Sequence, residues 1–447
     1  MAGRRFAKIL MALPAVLLAV GCGPRSFDAV DCYPEIFPDY VGVTVPESLA
    51  PLHFRMADGR RFNESRTRRG DTLFIKVLAW EKGAKNGTEY KEFPVYISND
   101  PIDPYVVYRL IEPGYESWNY ISLSQRELSS WKESVVVDNR ANNGGCLNCH
   151  TFDAGNPDRM VFHARGKGGG TVFALGDEVH LTNLATVGPK MQGVYPAWHP
   201  GGRYICFSSN ATRQSFTINH PQPIEVYDLK SDLILLDTET GEVSNPAVLG
   251  RADMLETFPS WSPDGSTLYF CSAKDAGQLP QKRGELRYSL MAIGFRDGEF
   301  VGEPRVIFAS DSLSVSHPRA SGDWLLFTAA RFATFPIWHK EADLWLLNLR
   351  TGQAAPAAEL NSPDTESWHE WSSEGRWVVF SSRRLDGRYT RLFFAHFDGE
   401  GHFGKPWLLP QKDPDSNTAR LWSYNVPEFV KGPVPDKTKK ISKLFPR

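Results

Sequence analysis

Phe258-Pro259-Ser260-Trp261-Ser262-Pro263-Asp264-Gly265, running into Ser266-Thr267-Leu268-Tyr269-Phe270-Cys271-Ser272, decides the fold because it recurs. It returns as Tyr195-Pro196-Ala197-Trp198-His199-Pro200-Gly201-Gly202 ahead of Arg203-Tyr204-Ile205-Cys206-Phe207. A shortened copy is His317-Pro318-Arg319-Ala320-Ser321-Gly322-Asp323, and a fourth is Ser367-Trp368-His369-Glu370-Trp371-Ser372-Ser373-Glu374-Gly375. In each, an apolar run, a Gly-containing turn and a second apolar run follow in series, which is the pattern of a hairpin. A second strand pair comes after it, as in Leu233 to Asp237 with Thr240-Gly241, or Leu344 to Leu349 with Thr351-Gly352. Four strands per unit, at a period of roughly fifty to sixty residues, describe the blades of a β-propeller. A lone blade cannot bury both faces of its sheet, so the ring must close. Four blades are explicit; Thr171 to Leu184 is expected to open another and Leu421 to Val426 to supply a closing strand, giving five or six.

Composition agrees with a mainly β chain. Among 447 residues there are 13 Trp, 37 Gly and 32 Pro, and aromatic residues make up 12%, a mixture that favours turn-rich sheets over helical bundles. The formal charge of −2 argues against a nucleic-acid partner.

Ahead of the repeats stands Cys146-Leu147-Asn148-Cys149-His150, the pattern of covalent c-type haem attachment. Each thiol can form a thioether to a haem vinyl group, and the next imidazole then lies where it can bind the iron. A redox dithiol would need a thioredoxin-like setting, whereas Asn142-Asn143-Gly144-Gly145 reads as a loop. A zinc site would need a second Cys/His pair at ligand spacing, and none follows. One covalent haem c is therefore expected on Cys146, Cys149 and His150. For the sixth ligand the chain offers Met160 and His163, of which His163 is preferred because Arg165 and Lys167 beside it could meet the haem propionates.

The first 21 residues read as a secretory leader: Arg4, Arg5 and Lys8, an apolar run from Ile9 to Val20, then Leu18-Ala19-Val20-Gly21-Cys22. That ending resembles a bacterial lipobox, which makes Cys22 the lipidated first residue of the mature chain. Several acyl chains anchor a protein without a transmembrane helix, and Gly23 favours the outer membrane, facing the periplasm. The remaining thiols, Cys32, Cys206 and Cys271, are odd in number. Cys206 and Cys271 fall in strand-like runs as packed thiols, with a disulfide between them as the alternative.

The expected domains are a lipidated tether over 22–46, a β-sandwich-like domain over 47–135, a haem-binding segment over 136–170, the propeller over 171–430 and a basic tail over 431–447. Ser124 to Ser134 is predicted as a lead-in helix, with Ser124 as its cap and Glu127 three residues on.

At its Trp-Ser-Pro-Asp-Gly copies the chain resembles the TolB-type propeller repeat of the bacterial envelope. With the haem motif, it is similar to a group of bacterial lipoproteins in which a β domain, a monohaem segment and such a propeller occur in this order. The resemblance includes Tyr108-Arg109-Leu110-Ile111-Glu112-Pro113-Gly114-Tyr115-Glu116, Phe162-His163-Ala164-Arg165-Gly166 and Leu408-Leu409-Pro410-Gln411-Lys412-Asp413-Pro414. It implies haem binding and an envelope location. The function expected is one-electron transfer to or from a redox partner protein docked on the propeller. The alternatives are a haem enzyme acting on a small substrate in the channel, or a structural protein of the envelope. His199, His317 and His369, from comparable turns, could converge there as a metal or substrate site, and His199 is a further candidate for the sixth ligand.

Overall fold

The alternation of Leu325 and Leu326 shows how the blades are built. Leu325, with Phe327, packs against the blade before it, and Leu326, with Leu344 and Leu346, against the blade after it. A strand sends successive side chains to opposite faces, so a run apolar at every position must be covered on both sides. The computed structural model of the chain, which describes residues 24, 26–112, 119–217, 222–275, 277 and 282–445, meets that demand with six four-stranded antiparallel sheets arranged in a ring.

Blade 1 consists of Leu147–Phe152, Arg159–Ala164, Gly170–Leu175 and Glu178–Thr182, from the inside outward. The inner strands of blades 2 to 5 are Gly193–Trp198, Met254–Trp261, Ser314–Ser321 and Glu366–Trp371. Blade 6 is made from both ends of the ring: Ser423–Val430 is its inner strand and pairs with Tyr105–Ile111, which is followed by Ile121–Glu127 and Glu133–Asp138. The inner strands touch in succession, and that of blade 6 returns to that of blade 1, so the ring is closed. Between neighbouring blades lie separate apolar cores, such as Val161, Phe173, Ile205 and Phe207 between blades 1 and 2. Full burial of each such side chain contributes about 1.5–3 kcal/mol.

The repeated turn explains its own sequence. Gly265 has φ +74°, and Asp264 accepts from the backbone N–H of Ser266, which closes the hairpin. The tryptophan of the repeat joins blades: Trp261 Nε1 donates to Ala197 O at 3.1 Å, and Trp371 Nε1 to Arg319 O at 3.0 Å.

The N-terminal region is sandwich-like. A six-stranded sheet containing Thr72–Trp80 and Phe93–Ser98 is covered by the short pair Ile36–Phe37 and Arg55–Met56. Its core is continuous with that of blades 5 and 6 through Tyr108, Trp377 and Trp407. Asp103 fixes the contact by accepting from Ser373 N at 2.7 Å and Ser373 Oγ at 2.8 Å.

Four expectations change. Residues 26–46 are no free tether, since Ser26–Ala29 and Thr44–Pro46 are strands of the N-terminal sheet. Ser124 to Ser134 is not helical: Ile121–Glu127 is a central strand whose register with Tyr105–Ile111 buries both faces, and this outweighs a helix-capping pattern. The haem-binding segment is not a separate unit, because 147–164 forms the inner half of blade 1. The ring therefore starts at Tyr105 rather than Thr171. The basic tail docks through Val434, Ile441 and Phe445 beneath blades 6 and 1. Cys206 and Cys271 are free thiols in different inter-blade cores, and Cys32 is free and exposed. The leader, Cys22 and Pro113-Gly114-Tyr115-Glu116 lie outside the described residues.

Candidate functional site

All six inner strands are interrupted at one level. The ladder slips after Asn148, Val194, Thr257, Ser316, Ser367 and Asn425, and the next residue of each strand has positive φ: Cys149, Tyr195, Phe258, His317, Trp368 and Val426. Such bulges turn a side chain out of the sheet, here across the channel. Phe258 lies 4.3 Å from Tyr195 and 4.2 Å from His317, and His317 lies 4.0 Å from Trp368, ring centre to ring centre. An aromatic layer thus divides the channel into an upper and a lower chamber. A bulged residue has no ladder partner for its N–H, which permits proline at Pro196, Pro259, Pro318 and Pro427. Two blades carry histidine there instead, His150 and His369.

Cys149-His150 is therefore the bulge dipeptide of blade 1. Cys149 is 4% exposed, and burial pushes its thiol pKa up. Cys146, immediately ahead of the same strand, borders the upper chamber, a cavity of about 450 Å³ walled by Tyr195, Ile224, Phe335, Trp338 and Trp368 and edged by Arg109, Arg165 and Arg383. His150 is 3% exposed, and its ring makes no hydrogen bond of good geometry, its one polar backbone neighbour being Val107. Burial, and after it the charge of Arg109, pushes its pKa down to about 3, so the imidazole is neutral with a lone pair to offer. It borders a small hollow below the layer together with His369, Glu370 and Glu428; Trp368 borders both spaces.

These residues fit a covalently held haem in kind. Two neighbouring thiols, a buried neutral imidazole, and a chamber with aromatic walls and guanidinium groups at its edge are the kinds of group an amphipathic, dianionic macrocycle requires, but they are divided by the layer: Cys146 and the guanidinium groups border the upper chamber, and His150 borders the hollow beneath it.

The proposed partners of this motif are not all gathered. Met160 is packed in the core between blades 6 and 1, opposite Phe152, and does not border the chamber. His163 is buried on the strand beside Asn148, with burial pushing it down to about 4, and it borders neither chamber. Arg165 does reach the upper chamber, whereas Lys167 is exposed on a turn. Of the three histidines of the repeats, His317 and His369 are neighbours, and His199 lies apart from them. His199 sits in the turn between the two innermost strands of blade 2, bonded to Gly265 O at 3.1 Å and edge-on to Trp261. His317 belongs to the layer, and His369 Nε2 donates to Leu326 O at 3.0 Å. Among the described residues no group of three His, Cys, Asp or Glu side chains is disposed to hold a metal ion. Sequence reasoning missed the layer itself, whose signal was an aromatic ring at the same place in each of the four repeats, before proline in three of them and before His369 in the fourth.

The lower chamber, about 470 Å³, has a mixed lining that includes charged groups. Arg319 Nε bonds Glu370 Oε2 at 2.7 Å, and Glu428 accepts from Thr151 Oγ1 at 3.0 Å and Phe152 N at 2.8 Å. Burial, with Glu370 nearby, pushes the Glu428 carboxyl up to about 8.

No protein-family model matches the chain, and no curated protein does. Among solved structures it is similar to an oligogalacturonate lyase from Vibrio parahaemolyticus, at 12% identity and a TM-score of 0.39 over 78% of this chain and 85% of that one. A puromycin hydrolase gives 12% identity and a TM-score of 0.38 over 83% of this chain and 58% of that one. A prolyl endopeptidase gives 11% and 0.37 over 78% of this chain and 42% of that one. The chain thus spans under half the length of the endopeptidase and most of that of the lyase. At these scores the likenesses bear on neither ligand nor activity.

Proposed function

We propose that the chain is an extracytoplasmic monohaem c-type cytochrome, anchored to the envelope through lipid on Cys22, that passes single electrons to or from a partner protein docked on the propeller. The observation that supports this reading is the placement of Cys149-His150 at the bulge of an inner strand, with the imidazole buried and neutral, and of Cys146 on the upper chamber; ligation by His150 of a haem in that chamber would require the layer between them to open. The thiol S–H of Cys146 and of Cys149 would each add across a vinyl C=C, forming one C–S bond and leaving no by-product. His150 would ligate the iron, and its neutral state at physiological pH requires no proton to be displaced. When bound, the haem supplies a reversible one-electron couple. Phe216, 54% exposed at the end of a long hairpin of blade 2, borders the mouth of the chamber as an apolar contact for a partner.

The test is expression of the full chain in a host competent for cytochrome assembly. The denatured protein is expected to retain haem by stain and to gain the mass of one haem, and C146S/C149S to lose both. A colourless chain at its bare peptide mass overturns the proposal. Ferrous protein that does not bind carbon monoxide favours electron transfer; binding of carbon monoxide favours an enzyme acting on a small substrate. Fractionation of cells after labelling with palmitate tests the anchor and the outer-membrane placement.

A further inference from the structure

Arg383 is 2% exposed, yet no carboxylate lies at ion-pair distance from it among the described residues. The next residue takes the nearby acid instead: Arg384 Nη2 bonds Glu366 Oε1 at 2.9 Å. Arg383 Nη1 donates to Arg388 O at 2.7 Å, the guanidinium stacks on Trp338, and Nε is buried with no partner. Burial pushes its pKa down to about 9, with Asp364 and Asp386 offsetting only part of this from a distance. Arg109 repeats the pattern across the chamber: Nη1 donates to Asn148 Oδ1, while Nε is buried and unpartnered. Both border the upper chamber, as do Arg165 and the single acid Glu112, so the lining carries a net charge of about +2.

A buried guanidinium without a counter-charge is costly, and arginine is the side chain best suited to take a carboxylate through paired N–H groups. We propose that Arg383 and Arg109 form a seat for the carboxylates of an amphipathic ligand in the upper chamber, one with an apolar planar body to lie against Tyr195, Trp338 and Trp368. If the haem reading above holds, the carboxylates are the haem propionates, held by Arg383 and Arg109 rather than by Lys167. The same chemistry could be met by a diffusible aromatic or aliphatic carboxylate, and the experiment separates the two sources.

In the first arm, haem-loaded wild type, R383Q, R383K and R109Q are compared by redox titration. Removal of a positive charge beside the propionates favours ferric iron, so the potential is expected to fall in R383Q and R109Q and to be largely restored in R383K. In the second arm, haem-free C146S/C149S chain is titrated with protoporphyrin and with its dimethyl ester by fluorescence, and with succinate and benzoate by calorimetry. At least tenfold tighter binding of the diacid than of the ester, abolished by R383Q, supports the seat with a porphyrin source. Arg383-dependent binding of succinate or benzoate supports it with a diffusible source. Haem-loaded variants with unchanged potentials, together with equal binding of diacid and ester and no binding of small carboxylates, overturn the seat while leaving the haem reading intact. A chain that never acquires haem but binds a carboxylate through Arg383 does the reverse.

Discussion

His339 Nε2 lies 2.9 Å from Glu225 Oε2, and Glu341 Oε1 is 3.3 Å from the other ring nitrogen, with the imidazole fully buried. Glu225 belongs to the long hairpin of blade 2, Tyr204–Phe216 and Ile224–Asp237, and His339 follows the turn Pro336–Trp338 of blade 4. Both segments wall the upper chamber through Ile224, Val226, Ile337 and Trp338. The pair therefore ties together, from opposite sides, the two flaps above the candidate site.

Burial alone would lower the pKa of His339, but the two carboxylates outweigh it and raise the value to about 9. A folded-state pKa above the unfolded value stabilises fully below about pH 6.5, and the contribution is lost as pH rises through about 9. Replacing His339 by Gln is expected to cost about 3–5 kcal/mol at pH 6, because it leaves the buried Glu225 carboxylate without its charged partner. The difference from wild type should shrink toward pH 10. Urea denaturation of both proteins at pH 6, 8 and 10 measures it, and a constant difference would refute the assignment.

Glu428 is shifted in the same direction for a different reason, burial favouring its neutral form. Its carboxyl titrates near 8, so it is protonated at neutral pH, and wild type loses this stabilisation as pH rises from about 4.5 through about 8. E428Q, of similar shape, should unfold within about 1 kcal/mol of wild type at pH 6. At pH 9 it should be the more stable of the two by thermal melting.

Gly265 and Gly241 share a left-handed backbone, φ +74° and +75°, but differ in space. A Cβ at Gly265 would come within 2.3 Å of His199 Nε2, whereas one at Gly241 meets nothing within 4 Å. Gly241→Ala is expected to cost about 1–2 kcal/mol from the backbone alone. Gly265→Ala should cost more, through the displaced imidazole and its bond to Gly265 O. Chevron or equilibrium denaturation of the two variants decides whether space or φ dominates.

Trp261→Phe and Trp371→Phe each remove one indole N–H that joins neighbouring blades and leave a carbonyl unsatisfied. About 1–3 kcal/mol is expected for each. The two bonds lie in different interfaces, blades 2–3 and 4–5, so the double variant should be additive within about 0.5 kcal/mol. Marked non-additivity would mean that the ring transmits strain between non-adjacent blades.

The sequence was most legible where the chemistry is local. The turn Trp-Ser-Pro-Asp-Gly declares a hairpin because glycine and aspartate satisfy its backbone at that spot, and the repeat of that turn declares blades. Runs such as Leu344 to Leu347, apolar at every position, declare strands covered on both faces. The haem proposed for Cys146, Cys149 and His150 rests on local information of the same kind, the spacing of reactive atoms along five residues.

What only the tertiary structure decided is non-local. That Tyr105–Ile111 pairs with Ser423–Val430 across more than three hundred residues follows from ring closure, since an open ring leaves unpaired strand edges and half-covered faces. No neighbour in sequence encodes that requirement, which is why the stretch around Ser124 read as a helix. The placement of Cys149 and His150 at the channel bulge, and of Arg109 and Arg383 at one chamber, has the same origin. Side chains distant in sequence meet because six sheets must share one axis.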